Sequence, residues 1–179
     1  PGDEAKRIKK FIEDQELHPV AILLTHGHFD HVMAVDSVRA AYHIPVYAAE
    51  AEKETMQDAS LNLSINMGGA MLSIEADHWL KDGETITLLD QEVRCILTPG
   101  HTVGGMCFYF SKAGMLFSGD TLFQESVGRT DFPGGSMSEI VRSIREKLFV
   151  LPDAVQVYPG HGLMTSIKNE KMFNPFAVE

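Results

Sequence analysis

Val20-Ala21-Ile22-Leu23-Leu24-Thr25-His26-Gly27-His28-Phe29-Asp30-His31 is the stretch from which the rest of the chain can be read. Its first five residues form a short apolar run, the pattern of a buried strand. The next seven carry three imidazoles and a carboxylate in the spacing HxHxDH. A strand that ends in such a loop brings these side chains to one point, and imidazole with carboxylate is the donor mixture that borderline divalent metals prefer. A polar loop that is His-rich by chance would leave the downstream pattern unexplained.

Three more candidate ligands sit where a strand runs out. Val93–Leu97 leads into Thr98-Pro99-Gly100-His101, Gly114–Phe117 into Ser118-Gly119-Asp120, and Val155–Tyr158 into Pro159-Gly160-His161. Each time a glycine precedes the ligand, so the backbone can turn sharply there. Seven donors are too many for one tetrahedral ion and suit two ions sharing a carboxylate.

The order HxHxDH, His, Asp, His resembles that of the metallo-β-lactamase superfamily. The fuller motifs Thr98-Pro99-Gly100-His101-Thr102, Gly119-Asp120-Thr121-Leu122-Phe123, Gly128-Arg129-Thr130-Asp131-Phe132 and Pro159-Gly160-His161-Gly162 resemble its glyoxalase II-like branch of small bacterial hydrolases. The resemblance implies an α/β fold, the αββα sandwich of two facing sheets with helices outside. It also implies a ligand set: His26, His28 and His101 on one metal, Asp30, His31 and His161 on the second, and Asp120 bridging. Zinc is the expected metal, with iron and manganese as alternatives. Asp30 has a second expected role, orienting the nucleophile or accepting its proton. Arg129 and Asp131 occupy the loop where glyoxalase II carries a Lys-x-Tyr contact to glutathione, and are expected either to touch substrate or to pair with each other. His18, His43 and His78 lack any motif context and are expected at the surface.

The expected reaction is hydrolysis of small thioesters such as hydroxyacylglutathione by a metal-bound hydroxide. A thiolate, with a conjugate acid of pKa about 8.5, departs without a strong general acid, and no free acid is evident here. Cleavage of an amide would need protonation of nitrogen. A mononuclear iron persulfide dioxygenase is the rival, with His26, His101 and Asp120 as its two-histidine, one-carboxylate set. Metals as structural staples fit poorly, because structural zinc sites are closed four-ligand sets rich in Cys.

The chain as a whole agrees. Its 179 residues suffice for a sizeable core as a single metallo-β-lactamase-like domain. A net charge of −10 opposes nucleic acid as a partner, since phosphate binding needs a basic face. No run is long enough to span a membrane and no signal peptide is visible, so a cytoplasmic location is expected. Cys95 and Cys107 read as buried thiols. The opening Pro1-Gly2-Asp3 resembles a turn that follows the N-terminal strands of the family, so these strands are expected to be missing, through truncation or in fact. A sheet edge left bare would invite pairing with a second copy.

Along the sequence, helices are expected over 3–17, 32–43 and 137–149, the last capped by Ser136 with Glu139 completing a capping box. Residues 50–80, with Gly68-Gly69 and several methionines, are expected to form a helix passing into a mobile loop beside the metals.

Overall fold

The computed structural model describes residues 1–177. Two sheets form its centre. The smaller is parallel, in the order β1 (Ile22–Leu23), β2 (Val46–Ala49), β3 (His78–Leu80). The larger has six strands. Its order is β11 (Thr165–Ser166), β10 (Gln156–Pro159), β7 (Met115–Gly119), β6 (Met106–Phe110), β5 (Gln91–Leu97), β4 (Thr85–Leu88). It is antiparallel apart from the β10–β7 pair. A hairpin of β8 (Leu122–Phe123) and β9 (Ser126–Val127) follows β7.

The period-2 alternation of strand side chains sorts the apolar residues into three layers. Ile22, Leu24, Val46 and Ala48 point away from the large sheet. They pack under helices α2 (Phe29–Val32) and α3 (Val35–Tyr42), with Val32, Val35 and Val38 buried against them. Ala49, Leu80, Val93, Cys95, Met106 and Phe108 fill the space between the sheets, joined by Leu23 and Tyr47. Ile96, Cys107, Leu116 and Val157 face outward, under Ile140 of α5 (Met137–Ser143), Ile144 and Leu148 of the π-helical turn that continues it, and Ile167 of α6 (Ile167–Phe173). This is the expected αββα sandwich. Cys95 and Cys107 lie on adjacent strands but in different layers, both buried as free thiols.

Several boundaries differ from expectation. The first helix, α1, covers Ala5–Asp14 and rests Ile8 against the smaller sheet's outer layer, while Phe11, three residues on, is 60% exposed. The helix expected over 32–43 begins earlier and breaks into α2 and α3, so Asp30 and His31 are helical. Ser136 accepts from Glu139 N, yet the Glu139 carboxylate turns to Arg142 instead of closing the box. Helix α6, capped by Ser166, was not expected. Strand β1 has β2 as its one partner among the described residues. No helix among them is long and apolar enough to cross a membrane.

Candidate metal centre

Four strand ends meet at one edge of the sandwich. The loop after β1 carries His26 and His28, and α2 adds Asp30 and His31 one turn on. His101 follows β5, Asp120 follows β7 and His161 follows β10. Two glycines show why these turns need them. Gly119 has φ of 50°, in the left-handed region. Gly160 needs room rather than backbone freedom: a Cβ there would collide with the Asp120 carboxylate and crowd the His31 ring.

All seven expected donors converge. His26, His28 and His101 form one group and Asp30, His31 and His161 another, each with donor atoms close enough to share an ion. His28 Nδ1 lies 2.9 Å from His101 Nε2, and His31 Nε2 lies 3.1 Å from His161 Nε2. Asp120 spans the groups. Its Oδ2 is 3.7 Å from His101 Nε2 and 3.6 Å from His161 Nε2, and its Oδ1 is 3.4 Å from His31 Nε2. Asp30 Oδ2 is 3.2 Å from His161 Nε2 on the solvent side.

The chemistry of this donor set fits a metal pair. Nε2 of His26 and Oδ1 of Asp120 are buried with no hydrogen-bond partner among the described residues, a costly state unless a cation takes their lone pairs. Burial and mutual repulsion hold four of the imidazoles, His26, His28, His31 and His101, neutral, which is the ligating form. His26 lies well below the ordinary histidine range, His28 falls to about 3 and His31 to about 4, with burial the largest cause, and burial also lowers His101. Asp120 is pushed up to about 6, chiefly by burial. His101 Nδ1 lies 2.7 Å from the Arg129 carbonyl, which fixes the tautomer that leaves Nε2 free.

A cavity of about 470 Å³ opens over the centre. Phe29, Leu63, Met67, Phe123, Val127 and Phe132 give it apolar walls. Arg129 lines it too, but its Nε and Nη2 donate to the two oxygens of Asp131, each at 2.7 Å, and its guanidinium lies over the Phe132 ring. Asp131 is thereby drawn down to about 2. The mutual ion pair expected for these two residues is present. His18, His43 and His78 are exposed, and His78 stacks on Tyr47.

The segment 50–80 lies beside the centre, as expected, through Leu63 and Met67. Its base is pinned: Asn62 Nδ2 donates to Leu72 O at 2.9 Å, Asn62 O accepts from Phe29 N, and Ser64 Oγ accepts from Leu72 N. Met71 at the tip is 77% exposed. Sequence reading also missed Glu52. It lies in a run of acidic and basic residues typical of a solvated face, yet it is 1% exposed and pushed up to about 7 by burial. No local signal separates it from Glu50 or Glu54.

The family model for the metallo-beta-lactamase superfamily matches residues 1–161. The chain is 41% identical over 177 residues to "Probable metallo-hydrolase YqgX" of Bacillus subtilis, covering 98% of this chain and 84% of that protein. It is 37% identical to "Hydroxyacylglutathione hydrolase GloC" of Haemophilus influenzae, with the same coverage. Among solved structures, the BLEG-1 B3 metallo-beta-lactamase superposes with a TM-score of 0.95 at 40% identity, over 100% of this chain and 87% of that one. TTHA1623 in a di-iron-bound form superposes at 0.87 and 35%, over 98% and 86%.

Proposed function

The chain belongs to the metallo-β-lactamase superfamily and is a metal-dependent hydrolase, and from that premise we propose that it cleaves small thioesters with a pair of divalent ions, in the cytoplasm. His26, His28 and His101 would hold one ion and Asp30, His31 and His161 the other, with Asp120 between them. When bound, such a pair supplies an acidic water as nucleophile and an electrophile for the carbonyl oxygen. Zinc suits the donor set, and the di-iron likeness supports iron as an alternative.

The observation that carries the reading is the cavity lining. Outside the seven donors, Arg129 is its one titratable side chain, and Asp131 already holds it. A leaving thiolate needs no proton from the wall, whereas a leaving amine does. Asp30, on the solvent side, is the carboxylate suited to orient the attacking water and take its proton. The apolar walls exclude water from the acyl group. The clamped arginine leaves no free cation in the lining for the carboxylates of glutathione, so we infer only a modest preference for glutathione over simpler thiols. The likeness to GloC supports the thioester class. The buried free thiols of Cys95 and Cys107 suit a reducing compartment.

A β-lactam reading has the likeness to BLEG-1 in its favour. The mononuclear dioxygenase leaves the second donor group without a purpose. One experiment separates the three. Metals per chain are counted, and kcat/KM is measured for lactoyl-glutathione, a lactoyl ester of a simpler thiol and a β-lactam, alongside oxygen uptake with glutathione persulfide. Two metals, turnover of both thioesters within about a hundredfold of each other and no oxygen uptake are expected. One metal with oxygen uptake, or turnover of the β-lactam alone, overturns the reading.

A further inference from the structure

Glu52 joins the two loops that carry the first donor group. It sits at the end of a 3-10 turn, Glu50–Glu52, that leads from β2 into α4 (Lys53–Gln57). Its Oε1 accepts from Gly27 N at 2.9 Å, between His26 and His28, and its Oε2 accepts from Gly104 N at 2.8 Å, three residues beyond His101. Both loops press directly on this segment. A Cβ on Gly27 would meet Met56 Cγ at 2.7 Å, and one on Gly104 would collide with the backbone of Ala51 and Glu52. The two loops are 77 positions apart in sequence between these glycines, so the register of His26 and His28 against His101 depends on a tertiary link.

We propose that Glu52 is a positioning residue for the metal centre, one carboxylate whose two oxygens set the distance between the His26–His28 loop and the His101 loop. This rests on the metal-centre reading above. The side chain is 1% exposed, both its oxygens accept from backbone amides of the two loops, and the Thr102 hydroxyl, next to His101, also bonds to it. The chemistry requires a carboxylate: two acceptors face two donors, and a glutamine would set its NH2 against one of them.

The test is zinc binding, which needs no substrate. In Glu52→Gln, competition with a chromophoric chelator is expected to show zinc affinity about 10–100-fold weaker, the usual scale for losing a partner that orients ligands. The visible spectrum of the cobalt-loaded protein is expected to change with it. Glu170→Gln is the comparison, a carboxylate equally buried but bonded to Glu125 N, Thr165, Asn169 and Asn174, none of them in the His26–His28 or His101 loops. It is expected to lower thermal stability and leave zinc affinity and the cobalt spectrum unchanged. A folded Glu52→Gln with wild-type affinity and spectrum overturns the proposal, as does an equal loss in Glu170→Gln. Should Glu52→Gln fail to fold, amide hydrogen exchange in the wild-type protein decides. Slow exchange at Gly27 and Gly104 together is expected, and fast exchange at either removes the brace. A wild-type protein that binds zinc but hydrolyses no thioester would sink the functional reading and leave this one standing.

Discussion

Asp120 is the residue on which both halves of the centre turn. Its two oxygens reach toward His31, His101 and His161, so it touches both donor groups. Two cations held without a shared carboxylate repel each other with less screening. Asp120→Ala is therefore expected to lower total metal content and abolish hydrolysis, checked by elemental analysis beside the thioester assay. A variant that keeps two metals and near-normal turnover would remove Asp120 from the bridge. The neighbouring pair Arg129 and Asp131 shows the opposite economy: two charges that line or border the cavity spend themselves on each other.

Elements matter here through what their ends hold. Helix α5 begins beside the His101 loop: Ser136 N donates to Gly100 O at 2.8 Å and Ser143 Oγ donates to Pro99 O at 2.9 Å. The two ends of this short helix thus seat the turn that presents His101. Its cap is Ser136 Oγ, accepting from Glu139 N at 3.3 Å. Ser136→Ala is expected to cost about 1 kcal/mol. In a chain of this size that lowers Tm by about 2–4 °C, readable by calorimetry. A loss below about 0.3 kcal/mol would mean that packing of Ile140 and Ile144 alone fixes the helix start. The strands act in the same way, since β1, β5, β7 and β10 each deliver a donor just past their last residues.

At the scale of the molecule, the buried centre ties stability to pH. Four imidazoles are held neutral below the usual histidine range, His28 to about 3 and His31 to about 4, with His26 and His101 also lowered. The unfolded chain binds protons on them first, so their contribution is complete above about pH 6.5 and is lost as pH falls toward 3–4. Asp120 and Glu52 are raised, to about 6 and about 7, so their contribution is complete below about pH 4 and lost as pH rises through those values. Four groups outweigh two. Denaturant unfolding of the chelator-stripped protein is expected to show stability climbing from pH 4 to 6.5, and a flat or falling midpoint would contradict it. The sequence alone determined the strands and the candidate donor that follows each, because a strand, its turn glycine and the next side chain are adjacent in the chain and their pattern is local; the two facing sheets were legible only through the family resemblance. The tertiary structure decided that the seven candidate donors lie together, that Asp131 holds Arg129, that the 50–80 segment has a pinned base, and that Glu52 is buried between two loops. Those facts depend on distances between residues far apart in sequence, and Glu52 looks like any charge on a solvated face until the loops close over it.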